Sequence, residues 1–93
     1  MSAHYEPRFE PTVEYYIYMQ QHLEARILEA APRLGEHLTG VILADAKSDW
    51  TYCLEELAEG KLTLQRFFTV VEIGHTSAHV HLDEELNRFS RPL

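Results

Sequence analysis

The stretch LTLQRFFTVVEIGHTSAHVHLDEELNRF, residues 62–89, decides the fold because it has two structural interpretations. As β-structure, residues 67–73 and 78–82 are two strands, and residues 74–77 form the turn of a hairpin. As a helix of about seven turns capped by Thr63, it carries one near-heptad stripe. The stripe consists of Leu64, Phe67, Phe68, Val71, His75, Ala78, Leu82, Leu86 and Phe89.

The helical interpretation is favoured because the stripe continues without a break through both candidate strands. It also extends into residues 84–89, which are typical of a helix under either interpretation. Gly74 opposes it, since a glycine inside a helix costs about 1 kcal/mol relative to alanine. We therefore predict an all-α fold, with an α+β fold containing a hairpin at 62–83 as the alternative.

The segment before this stretch predicts a first helix. Pro11 suits a first helical turn, and Glu14 places a negative charge near the positive end of the helix dipole. Apolar residues recur at three- and four-residue intervals over residues 13–31, and Pro32 then ends the helix. One further turn is expected over residues 33–38.

A second helix is predicted over residues 41–59, with Gly60 as the glycine that ends it. A shorter version begins with Ser48 as the N-cap and leaves residues 40–45 as a short buried strand. With the first helix and the long last one, this predicts an antiparallel three-helix bundle.

The chain length of 93 residues fits one domain. Pro7 and Pro11 disfavour helix before them, so residues 1–11 are predicted to be an extended leader and residues 12–93 a single helical domain. A last helix of 25 residues spans about 37 Å, longer than the first two helices. Part of its stripe would then lack a partner within the chain, so we expect a homodimer or higher homo-oligomer.

The charge of the chain excludes some partners. Fifteen acidic residues oppose eight basic ones, which gives a net charge of −7, and the basic residues are scattered. We therefore expect no binding to nucleic acid, which requires clustered cations, and repulsion from anionic membranes. The longest uncharged apolar run, residues 41–44, is far too short to span a bilayer.

The lone Cys53 cannot form a disulfide within the chain, and residues 1–11 lack the apolar core of a signal peptide. Both observations favour a cytoplasmic protein. Glu55 and Glu56 should raise the pKa of the thiol, which indicates a structural cysteine. The chain has no glycine-rich phosphate loop and no nucleophile elbow, so we expect no enzymatic activity and no cofactor.

The cluster of Glu72, His75, His79 and His81 supports an alternative function. On a helix, Glu72, His75 and His79 share a face, and Glu-x-x-His is the arrangement found in dimetal bundles. On a strand, His79 and His81 point the same way, with His75 in the turn. The alternative is a metal-binding bundle for zinc or iron, completed across a dimer. The simpler interpretation places His75 in a polar core and leaves His79 and His81 solvated.

The aromatic residues near the N-terminus predict a surface that binds a partner. Glu14, Tyr15 and Tyr16 combine acidic and aromatic side chains, and Tyr5 and Phe9 of the leader add to them. We therefore predict a small acidic non-enzymatic protein that self-associates and binds a protein partner of basic character. An accessory, regulatory or inhibitor role fits this prediction.

Overall fold

The computed structural model describes residues 11–90, which form four helices and no strand: α1 (Val13–Glu29), α2 (Ala31–Leu34), α3 (Glu36–Ala58) and α4 (Leu64–Ser90). The all-α prediction is confirmed. The hairpin at 62–83 is wrong, because one continuous helix places Phe67, Val71 and Leu82 on a single buried face. The short strand proposed for residues 40–45 is wrong as well, since α3 runs through it.

The helix ends follow from local hydrogen bonds. Thr12 caps α1, and its hydroxyl oxygen accepts from the backbone N–H of Tyr15 at 3.1 Å. Thr63 caps α4 in the predicted way, accepting from the N–H of Arg66 at 3.1 Å. α1 therefore begins after Pro11 and not with it.

Two glycines with positive φ separate the helices. Gly35 (φ 90°) divides α2 from α3, and Gly60 (φ 76°) follows the last residues of α3. At the second break the N–H of Gly60 donates to the carbonyl of Leu57, and the N–H of Lys61 donates to that of Glu56. This pair of bonds is a Schellman motif, so the predicted role of Gly60 is confirmed.

The three long helices run up, down and up. α1 and α4 are parallel, because the hydroxyl of Tyr16 meets Glu72 near their beginnings and Arg26 meets Asp83 further along both. α3 runs antiparallel to both. No helix within residues 11–90 is long and apolar enough to cross a membrane.

The core consists of two apolar clusters, one at each end of the bundle. The lower cluster lies at the start of α1, and the upper cluster includes α2 and the start of α3. The buried members of the lower cluster are Tyr16, Phe67 and Val71. Those of the upper cluster are Leu23, Ile27, Ala30, Leu34, Ile42 and Leu82.

The expectation that part of the α4 stripe lacks a partner within the chain applies to Leu64, which is 50 % exposed, and not to the centre of the stripe. Phe67, Val71 and Leu82 are at most 4 % exposed, because α2 and an α3 that begins at Glu36 extend the cover along α4. Ile73 and Val80 of α4, which are not part of the stripe, are exposed as well. Self-association stays a prediction, and Ile73 and Val80 offer an exposed apolar surface that the stripe does not include.

Candidate functional site

A polar layer separates the two apolar clusters, and Gln20 of α1 is its centre. Gln20 is 3 % exposed, and its amide nitrogen donates to Glu24 at 2.8 Å and to the carbonyl of Ala46 at 3.3 Å. Its amide oxygen accepts from Nε2 of His75 at 2.9 Å. The layer therefore joins all three long helices through one buried amide whose donors and acceptor are satisfied.

His75 belongs to this layer, in agreement with the simpler interpretation of the sequence. Burial, and secondarily the charge of His79, lowers the pKa of its ring below the ordinary value of 6.5. The indole of Trp50 stacks against the ring, with centroids 6.1 Å apart. A neutral His75 with Nε2 bonded to Gln20 and one face covered is a structural group.

A cavity of about 40 Å³ lies beside the polar layer. It is lined by His75 and Trp50 and by three small residues of α3 and α4, Ala46, Gly74 and Ala78. A volume of this size holds a water molecule, and polar groups are available to bind it. The small residues therefore leave a gap between α3 and α4 where larger side chains would close the packing.

The same gap widens outward into a groove of about 420 Å³, here called the α3–α4 groove. A Cβ added at Gly74 would meet no atom within 4 Å, so the space above the helix backbone is open. The groove is lined by Ile42, Asp45, Ala46, Asp49, Gly74, Ser77, Ala78 and His81.

The rim of the α3–α4 groove is acidic. Asp45 and Asp49 lie one turn apart on α3, both are exposed, and neither forms an ion pair with another described residue. Exposed His81 lies on the α4 side, and no described lysine or arginine lines the groove. Tyr52, 55 % exposed, follows Asp49 by three residues and therefore lies near it on the helix surface. The arrangement offers two unneutralised carboxylates above a floor of small side chains.

Cys53 lies close to this acidic rim. Burial of the thiol raises its pKa, and the charges of Asp49 and Glu56 raise it further. The thiol is therefore protonated near neutral pH and is a poor nucleophile, as the sequence predicted, although burial is the larger cause and Asp49 replaces the predicted Glu55 beside Glu56.

The candidate metal ligands are not brought together within one chain. Glu72 accepts from the hydroxyl of Tyr16 at 3.1 Å, and His75 is bonded to Gln20. His79 accepts through Nδ1 from Arg26 at 3.0 Å, while His81 lines the groove on the other side of α4. The expectation that His79 is solvated is also wrong, since the ring is half-buried against α1.

No group of three or more His, Cys, Asp or Glu side chains within residues 11–90 is arranged to hold a metal ion. The pKa of His79 is lowered, first by burial and then by the charges of Arg26 and His22. A zinc or iron site at Glu72, His75 and His79 would require their bonds to α1 to break and ligands to arrive from a second copy. That alternative stays a prediction, and it finds no support in the single chain.

One of the residues predicted to form a partner surface at the start of α1 is buried in the structure. Tyr16 is 3 % exposed, stacks on Phe68 at 5.1 Å and donates to Glu72, so it is a core residue and is closed to a partner. Tyr15 is half-buried with its ring edge against Tyr16, and Glu14 is exposed. Tyr5 and Phe9 lie outside the described residues.

A sequence signal for the α3–α4 groove lies in α4, although it does not predict a groove by itself. The signal is a run of small side chains on α4, at Gly74, Ser77 and Ala78, opposite Ala46 of α3. Small residues at three- and four-residue spacing leave a depression along the surface of a helix. Acidic residues beside that depression then form its rim. Only the pairing of the two helices brings these two patterns to one place.

Comparison of the chain with protein-family models, curated proteins and solved structures finds no match. The function proposed for it therefore rests on the geometry and charge of the described residues.

Proposed function

We propose that this chain is a small non-enzymatic protein that binds a basic segment of a protein partner in the α3–α4 groove. The observation that carries the proposal is the pair Asp45 and Asp49, exposed and without ion pairs among the described residues, on the rim of an open groove. A lysine or arginine of the partner supplies the positive charge that pairs with these carboxylates. Its aliphatic stem lies along Ala46, Gly74 and Ala78.

The wider charge of the molecule supports the same partner. A net charge of −7 attracts basic proteins over a longer range and speeds their encounter. Tyr52 offers an aromatic contact next to the rim, and tyrosine is enriched among residues that contribute most to binding energy. We place the protein in the cytoplasm, where its single Cys53 stays a protonated thiol, and we propose an accessory, regulatory or inhibitor role.

Gly74 is a further support for the groove as a binding surface. A glycine within a helix costs about 1 kcal/mol relative to alanine, and nothing near Gly74 would obstruct a methyl group. Packing of the bundle therefore does not require glycine here. A partner side chain that comes close to the floor of the groove would instead favour glycine at this position, because glycine has no side chain.

The test uses a fluorescently labelled arginine- and lysine-rich peptide, with binding measured by anisotropy at increasing salt concentration. We expect binding at low ionic strength that weakens with salt. The variant Asp45→Lys/Asp49→Lys should lose at least about tenfold in affinity, since it places two cations on the rim.

The matched control is Glu29→Lys/Glu55→Lys, which makes the same change in net charge at exposed positions outside the groove. It should bind the peptide at least about threefold more tightly than the groove variant, because only the general attraction is reduced. Equal loss in both variants would show that net charge alone attracts the peptide, and would overturn the groove as the site. An acidic peptide that binds as well as the basic one would overturn the proposal entirely.

Self-association is a second candidate, and a specific observation favours it. Ile73 and Val80, two turns apart on the surface of α4, are 64 % and 51 % exposed. A second copy of the chain that covers both would remove this apolar surface from water.

A further inference from the structure

The side of α4 that faces away from α1 and α3 has an ordered pattern. Thr69, Ile73, Thr76 and Val80 follow one another at intervals of four, three and four residues, so they lie in one line along the helix. The hydroxyl of Thr69 donates to the carbonyl of Gln65, within its own helix, at 3.1 Å. The outer face of α4 therefore presents β-branched side chains of low conformational freedom.

The two ends of this outer face carry opposite charges. Arg66 precedes the line and Glu84 follows it, both are exposed, and neither forms an ion pair with another residue of the described range 11–90. Eighteen residues of helix hold them about 27 Å apart, so they cannot pair with each other within one chain. A second molecule with the same charges in reverse order would pair with both.

We propose that a second copy of this chain covers the outer face of α4, with the two α4 helices antiparallel about a two-fold axis between Thr76 and Ser77. In this register Ile73 packs against Val80 of the second copy, and the symmetry repeats the contact. The inference rests on the self-association part of the proposed function, and it specifies the surface, the direction and the register.

The same register pairs the charges. Arg66 lies opposite Asn87 of the second copy, one helical turn from its Glu84, and the long arginine side chain spans that distance. A parallel pair would instead place Arg66 beside Arg66 and Glu84 beside Glu84, which is repulsive at both ends. Charge complementarity therefore selects the antiparallel pair.

The contact is small. One helix face on each copy buries less than the roughly 800 Å² per partner of a standard interface, so we expect a concentration-dependent dimer. Sedimentation equilibrium over about 10 to 500 μM covers the range in which such a pair dissociates. The wild-type chain should pass from monomer to dimer over this range. A wild-type monomer at every concentration would overturn the inference.

Two sets of variants test the surface. Ile73→Asp changes an exposed side chain, so it should retain the helical circular dichroism and shift the midpoint of dimerisation at least about tenfold higher. Arg66→Glu and Glu84→Arg should each weaken the dimer, and the double variant Arg66→Glu/Glu84→Arg should restore it within about threefold. Dimerisation unchanged by Ile73→Asp, or no recovery in the double variant, would contradict the proposed surface.

Disulfide cross-linking tests the direction in a Cys53→Ser background. Thr69 lies opposite Glu84 of the second copy, so a mixture of Thr69→Cys and Glu84→Cys chains should form a mixed disulfide on oxidation, and neither should cross-link with itself. A parallel pair would give self-linked Thr69→Cys dimers and would refute the register.

The two proposals fail separately. Ile73→Asp should keep the affinity for the basic peptide, while Asp45→Lys/Asp49→Lys should keep the dimer. Peptide binding by a chain that is monomeric throughout would overturn the dimer alone. A dimer that binds no basic peptide would overturn the groove proposal alone.

Discussion

The substitution Gly74→Ala tests two claims in one variant, the continuous helix α4 and peptide binding in the α3–α4 groove. The added methyl group would meet no atom within 4 Å, and Gly74 has no positive φ that alanine would resist. The expected gain is therefore the full difference in helix propensity, about 1 kcal/mol in the free energy of unfolding. In a domain of this size that gain raises Tm by about 4 to 8 °C.

Gly60→Ala is the matched control for this substitution. A Cβ at Gly60 would also meet no atom within 4 Å, but the φ of 76° places the residue in the left-handed region. The same change should therefore lower the free energy of unfolding by about 1 kcal/mol. Both sites are sterically open, so steric clashes do not contribute in either variant. The opposite signs of the two changes in the free energy of unfolding therefore report the backbone conformation at each glycine.

Urea denaturation followed by helical circular dichroism measures both variants, and the anisotropy assay then measures their binding of the basic peptide. Gly74→Ala should bind more weakly than the wild type although it is more stable, because its methyl group lies on the groove floor. Gly60→Ala, remote from the groove, should keep the wild-type affinity. A Gly74→Ala variant as destabilised as Gly60→Ala would refute a continuous α4 and the groove built on it.

Three further substitutions test the packing around the site. Because burial lowers the pKa of His75 and His79 below 6.5, the unfolded chain takes up protons more readily than the folded chain, so the free energy of unfolding should fall as pH drops through about 6.5. His75→Gln should flatten that fall, measured by urea denaturation between about pH 5 and 8. Tyr16→Phe removes the hydrogen bond to Glu72 and should cost about 0.5 to 1.5 kcal/mol in the same assay. Phe67→Ala, at a site with 0 % exposure, should cost about 3 to 5 kcal/mol, visible as a large drop in Tm.

Each of these expectations has a result that contradicts it. A wild-type stability that is constant from about pH 8 to 5 would mean that His75 and His79 are solvated in the folded chain. A Tyr16→Phe variant that keeps the wild-type stability but loses peptide binding would show that Tyr16 contacts the partner and is not a core residue. A Phe67→Ala variant with unchanged Tm would contradict the lower apolar cluster.

The helical character of residues 64–90 was predictable because its causes are local. The stripe repeats at helical spacing, Thr63 supplies a cap, and Gly60 supplies the preceding stop. The start of α3 was less predictable. Gly40 weakens the helical pattern there, yet Ile42 belongs to the upper cluster and Leu38 packs against it, and the helix extends back to Glu36.

The candidate site depended on contacts between distant segments and was less predictable for that reason. Which tyrosine of α1 is buried depends on the rotation of that helix, and the bond from Tyr16 to Glu72 of α4 accompanies it. The groove requires Ala46 of α3 to lie opposite Gly74 of α4, a pairing that periodicity in one helix does not specify. The role of His75 in a polar layer was predicted, whereas its partner Gln20 was not.

Amide chemical-shift mapping during titration with the arginine- and lysine-rich peptide tests the central claim most directly. If the α3–α4 groove is the binding site, the largest shifts occur at Asp45, Asp49, Gly74 and His81, and they disappear in Asp45→Lys/Asp49→Lys. Shifts spread evenly over all the exposed carboxylates, or concentrated at Glu14 on α1, would contradict it.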